Sequence, residues 1–155
     1  MHENEAPATS VKLVISSEVR LIDLIHNACE RLAKLAGFDA DEALNMSLAV
    51  RETVINAIVH GNGEDPNLKV HVNLSAGGGR MMAKVWDQGT GFDPKGAADP
   101  TQGSNLLRTA GRGLLLIDAF VDDVKYQQRP NQGMEVTLTK LLKPGTNHDG
   151  KKKKK

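Results

Sequence analysis

Residues 40 to 60, ADEALNMSLAVRETVINAIVH, restrict the fold more than any other stretch. Asp39 and Glu42 supply a D-x-x-E start of the capping-box kind, and Leu44, Leu48, Val50, Val54, Ile55, Ile58 and Val59 then make the helix apolar nearly all round. Such a helix belongs in the core, covered by other elements on more than one side. Glu52, Asn56 and His60 break the pattern. They fall four apart, so on a helix of about 3.6 residues per turn they line one narrow stripe. Burying Glu52 and Asn56 without partners costs on the order of 1–3 kcal/mol for each group, and more for a charge. Something has to satisfy them; a polar edge facing solvent is the plainer alternative.

The rest of the chain supplies layers to cover that helix. VKLVIS (11 to 16) reads as a strand, and a helix from about Ser17 to Ala36, ended by Gly37, shows a wide apolar face through Ile22, Ile25, Cys29 and Leu32. LKVHVNL (68 to 74) alternates strictly, GGG (77 to 79) turns the chain, and RMMAKVWD (80 to 87) returns as a hairpin partner. A segment rich in Gly, Pro, Asp and Asn follows from 88 to 110. GRGLLLIDAF (111 to 120) resumes as a helix, and strands follow near 121 to 128 and 133 to 142. Strand, two helices, two strands, long loop, helix and two strands predict an α+β fold. It is a two-layer α/β sandwich with a mixed, largely antiparallel sheet and helices on one face.

Its 155 residues suit one domain, expected over 11 to 142, between a disordered N-terminus (1 to 10) and a disordered basic tail (143 to 155). The net charge of +1 is set by the terminal KKKKK. Removing those five lysines from the 20 basic residues leaves 15 against 19 acidic ones, a net −4. With 3% aromatic residues there is also little for bases to stack on, so no nucleic-acid partner is expected. No stretch approaches the roughly 18 apolar residues of a membrane span, and a cytoplasmic protein without membrane contact is the expectation. The single cysteine, Cys29, reads as a small core residue.

Three further features bear on chemistry. DQGTG (87 to 91) places Asp87 at a strand end with Gly89 and Gly91 behind it. A carboxylate there can accept a hydrogen bond from an exocyclic amine while bare backbone lets a ring lie close, although the same pattern also fits an ordinary strand exit. Gly111, Arg112 and Gly113 stand where the long loop is expected to become a helix. Backbone N–H groups at a helix start attract anions, and a guanidinium suits phosphate oxygens; a plain helix N-terminal turn is the alternative. Loops this long are commonly lids, and the lid expected at 93 to 110 carries Arg108 within reach of phosphates. Mg²⁺ takes only one or two protein oxygens beside water and phosphates, so the Asn56 amide suffices for it. Glu52, one turn earlier, is placed to take a proton from an attacking hydroxyl.

AVRETVINAIVHGN (49 to 62), VWDQGTGFDP (85 to 94), GRGLLLI (111 to 117) and GMEVTLTK (133 to 140) together resemble the GHKL (histidine kinase-like) ATPase family, and within it the anti-sigma factor serine/threonine kinases. The resemblance covers about residues 11 to 142. It implies Glu52 as catalytic base, Asn56 as Mg²⁺ ligand and Asp87 as acceptor of the adenine amine, with Gly89 and Gly91 shaping the adenine pocket. It further implies Gly111, Arg112 and Gly113 on the phosphates of ATP, and Thr137 reaching adenine through water. His60 is common in that branch and is expected only to make a helix-end hydrogen bond. The implied function is binding of a sigma factor and transfer of the γ-phosphoryl group to a serine or threonine of a small antagonist protein, in a homodimer. A nucleotide-gated binding module without kinase activity is the alternative. A sensor histidine kinase fragment fits less well, because LIHNACERL around His26 lacks the acidic residue and proline that usually follow a phosphoacceptor histidine.

Overall fold

The computed structural model describes residues 8–89, 105–130 and 133–144. Alternating side chains build its sheet from β1 (Thr9–Ser16), β2 (Lys69–Gly77), β3 (Arg80–Trp86), β4 (Asp123–Gln128) and β5 (Met134–Leu141), in the order β1-β2-β3-β5-β4. Every neighbouring pair is antiparallel, where the sequence suggested a mixed, largely antiparallel sheet. The β2–β3 hairpin closes on Gly78 and Gly79 at φ 61° and 75°. That is the pair of left-handed residues a tight two-residue hairpin turn demands.

On one face Val70, Val72 and Leu74 of β2, Met81, Ala83 and Val85 of β3, and Val136 and Leu138 of β5 are buried. The helices α1 (Ile22–Leu35), α2 (Ala40–Asn56) and α3 (Asn105–Phe120) complete the two-layer α+β architecture. Asp39 caps α2, its carboxylate accepting from the Glu42 N–H at 2.8 Å. α2 touches α1, α3, β3 and β5, which explains why its sequence is apolar nearly all round. The other face of the sheet carries no helix among the described elements. There Trp86 stacks on His71 with 4.9 Å between ring centroids, and the Arg129 guanidinium lies 4.6 Å from the Trp86 ring centroid.

Several boundaries differ from expectation, among them α1, which begins at Ile22 instead of about Ser17. β1 begins at Thr9. α3 begins at Asn105 instead of about 111, so its first turns lie in what reads as loop. The α2 helix ends at Asn56 and continues as a π turn over Ala57–Gly61, in which the Asn62 N–H bonds the carbonyl of Ala57, five residues back, at 2.8 Å. Among the described residues no helix is long and apolar enough to cross a membrane.

Candidate functional site

Glu52 and Asn56 sit one turn apart on α2, as the periodicity predicts, with Glu52 half-buried and Asn56 buried. Their buried neighbour Thr53 turns its hydroxyl back onto the Ala49 carbonyl at 2.8 Å. Facing the pair is Gly113 of α3. A Cβ placed there would stand 3.0 Å from Glu52 Oε2 and 3.9 Å from both polar atoms of the Asn56 amide. α3 thus crosses α2 at a residue with no side chain, and the carboxylate and amide keep a narrow polar lining between the helices. His60 lies within the π turn that follows Asn56. Burial lowers its pKa below 6.5.

The second half of the site forms where β3 ends. Strand parity puts Asp87 on the helix-covered face in line with Met81, Ala83 and Val85, and only 1% of it is exposed. Its Oδ1 accepts from the Gly89 N–H at 3.1 Å and its Oδ2 from the Met134 N–H at 3.4 Å. Two glycines crowd it, and a third packs against one of them. A Cβ at Gly61 would stand 2.5 Å from Asp87 Oδ2, one at Gly133 would overlap the carboxylate, and one at Gly89 would overlap the Gly61 carbonyl. Gly133 is also at φ +77°, where a side chain is strained. The carboxylate therefore lies in a cradle of bare backbone drawn from three segments. A carboxylate so placed offers acceptor atoms, the complement of an exocyclic amine.

Gly61, Gly133 and Asn62 escape the sequence reading. Asn62 is 4% exposed and ties three segments together. Its Nδ2 donates to Ser17 Oγ at 2.8 Å and to the Lys69 carbonyl at 3.0 Å, while its Oδ1 accepts from the Gln88 N–H at 2.9 Å. The only prior signal is an Asn between two glycines just past a helix end.

Other expected residues fall elsewhere. Thr137 pairs with Lys84 in the β3–β5 ladder and alternates with the buried Val136 and Leu138, so it lies on the face away from Asp87. The β5 residue whose backbone meets Asp87 is Met134, three positions earlier. Thr137 and the Asp87 carboxylate thus lie on opposite faces of the sheet. Gly111, Arg112 and Gly113 are inside α3 and not at its start. Interior helical N–H groups are committed to carbonyls four residues back, which removes the expected helix-start anion site in this conformation. Arg112 is exposed beside Gly113. Gly91 and the lid residues 93 to 104 lie outside the described residues, as does the side chain of Arg108, whose backbone is helical. Among the described residues no three His, Cys, Asp or Glu side chains converge as a metal site. A divalent ion here would accordingly draw on Asn56 together with phosphate and water oxygens, as Mg²⁺ commonly does.

Known proteins are similar to this chain in sequence and in fold. A serine-protein kinase RsbW of Bacillus subtilis (strain 168) is 26% identical over 141 residues, covering 87% of each chain. The anti-sigma F factor of Oceanobacillus iheyensis is 31% identical over 104 residues, covering 66% of this chain and 71% of that protein. In fold, the chain resembles the crystal structure of the RsbU and RsbW domains of a Mycobacterium tuberculosis protein, at a TM-score of 0.60 and 21% identity. That likeness covers 88% of this chain and 33% of the other. The sequence profile of the histidine kinase-like ATPase domain matches residues 15–140, and the chain belongs to that family.

Proposed function

We propose that this chain is an ATP-dependent serine/threonine protein kinase and anti-sigma factor, whose domain over 11 to 142 phosphorylates a small antagonist protein in a partner-switching pathway. The observation that carries the proposal is the pairing of two polar clusters on one helix end. Glu52 and Asn56 face Gly113, and the chain then runs through Gly61 directly onto Asp87. Relatives named serine-protein kinase and anti-sigma F factor support the same reading.

In this mechanism Asp87 selects adenine. An ionised carboxylate offers about four acceptor sites, enough for its two backbone donors and the adenine amine together. Gly61, Gly89 and Gly133 let the ring approach the carboxylate closely. Asn56 would offer its amide oxygen to Mg²⁺, and Arg112 its guanidinium to phosphate oxygens. The chemistry Mg²⁺ would supply when held there is neutralisation of phosphate charge. Glu52 holds a carboxylate one turn from Asn56, where it accepts the proton of a serine or threonine hydroxyl. Phosphoryl transfer needs mainly positioning and charge neutralisation, which this set provides.

Calorimetric titration with ADP and ATP, with and without Mg²⁺, tests the binding half. Wild-type protein should bind both, and Asp87→Asn, which presents donors to the adenine amine, should bind at least tenfold more weakly (about 1.4 kcal/mol). Equal affinity in the two proteins refutes the assignment of Asp87.

A further inference from the structure

We infer that Asn62 is a positioning residue for nucleotide recognition, fixing the turn that carries Asp87 against the helix that carries Glu52 and Asn56. The inference rests on the nucleotide-binding reading above and deepens it.

Asn62 stands at the junction of the two clusters. The chain leaves the π turn at Gly61, and the Asn62 amide then reaches three other segments. Through Nδ2 it holds Ser17, just past β1, and the Lys69 carbonyl at the start of β2. Through Oδ1 it holds the N–H of Gln88, the residue after Asp87. Ser17 Oγ donates its own hydrogen bond to the Leu68 carbonyl at 2.7 Å, so it is fixed as an acceptor toward Asn62. The side chain of Gln88 adds a second fastening, its Oε1 accepting from the Lys69 N–H at 2.7 Å. The next residue, Gly89, packs so closely that a Cβ there would come within 3.0 Å of Asn62 Oδ1.

The chemistry of the site requires an amide. Two acceptors and one donor face position 62, and only a side chain with N–H groups and a carbonyl oxygen satisfies all three. A carboxylate keeps the Gln88 bond but points an acceptor at the Lys69 carbonyl and at Ser17 Oγ. An alanine leaves the part-buried Gln88 N–H without its Asn62 partner and releases the turn. The two substitutions therefore separate recognition from stability. Affinity for an adenine nucleotide should follow the Gln88 bond, and stability should follow the buried uncompensated charge.

The experiment is calorimetric titration with ADP of wild type, Asn62→Ala and Asn62→Asp, beside thermal melts of each. Positioning predicts that Asn62→Ala weakens ADP binding about tenfold or more with a binding stoichiometry still near one. Asn62→Asp should lose less affinity than Asn62→Ala and yet melt at the same or a lower temperature. A merely structural asparagine predicts the opposite pattern: stoichiometry falls with the folded fraction, Kd stays at the wild-type value, and any affinity losses rank with the melting temperatures. That outcome overturns the inference. Failure of the wild type itself to bind ADP strikes instead at the proposed function. If Asn62→Ala does not fold, Asn62→Asp and Ser17→Ala decide the matter. Both keep the Gln88 bond, so positioning predicts that each holds ADP within about threefold of wild type, and a tenfold loss in either contradicts it.

Discussion

Replacing Gly61 by alanine should damage nucleotide binding far more than it damages the fold. Gly61 lies in the π turn, outside the left-handed backbone region, so alanine brings no conformational strain there. In a helical segment it is even favoured over glycine, by about 1 kcal/mol. Its Cβ, however, would stand 2.5 Å from both Cγ and Oδ2 of Asp87. Comfortable contact needs roughly 3.5–4.0 Å, so the carboxylate has to retreat by about 1 Å. Overpacking of this kind costs about 1–3 kcal/mol, and the propensity gain reduces the net loss to about 0–2 kcal/mol. At roughly 2–4 °C per kcal/mol for a chain of this size, melting should fall by no more than about 8 °C. Losing a hydrogen bond to a charged group is worth about 1.5–3 kcal/mol, which corresponds to a 10- to 150-fold weaker Kd for ADP. Titration calorimetry and thermal melts on one preparation measure both. An affinity within twofold of wild type, with the fold intact, would show that the position of Asp87 does not govern nucleotide recognition.

Other outcomes follow from single features. Burial pushes the Cys29 thiol up to about 12, with Ser47 hydrogen bonding opposing only in part, so a thiol reagent should find no reactive group in the folded protein and one after denaturation. Rapid labelling of the native chain contradicts that placement. His60 and His71 are both held below 6.5 by burial, with Arg129 adding to the effect at His71. The unfolded chain then binds these protons first, so their stability contribution is complete above about pH 6.5 and is lost as pH falls through the lower folded values. Melts of His71→Gln should show a shallower decline on acidification than wild type, and an unchanged slope removes His71 from the account.

Much of this site can be read from local pattern. Alternation in 68 to 87 fixes the hairpin and places Asp87 on its buried face, and helical periodicity sets Glu52 beside Asn56. What sequence does not carry is the partner of each strand end and the company each backbone keeps. Alternation sets Thr137 on the strand face opposite Val136 and Leu138, as the structure has it, but that Met134 is the β5 residue meeting Asp87 follows only from the antiparallel register with β3. Gly61 and Gly133 matter because folding brings both against one carboxylate from segments far apart in sequence. The early start of α3 is hidden by Gly111 and Gly113, each of which lowers helix propensity by about 1 kcal/mol relative to alanine; packing against α2 overrides that preference. The π turn has no distinct sequence signature, so the bonding of Asn62 appears only in three dimensions.

The central claim, that Glu52 and Asn56 share a helix face but divide the work of phosphoryl transfer, is tested most directly by following labelled phosphate from ATP to a candidate antagonist protein while ATP binding is titrated in parallel. Glu52→Gln should bind Mg-ATP within about threefold of wild type and transfer phosphate about 10² to 10⁴ times more slowly, the usual effect of losing a general base. Asn56→Ala should lose Mg-dependent binding itself. A wild-type protein that binds ATP and its antagonist yet transfers no phosphate, or a Glu52→Gln variant as fast as wild type, contradicts the account and leaves a nucleotide-gated binding module in its place.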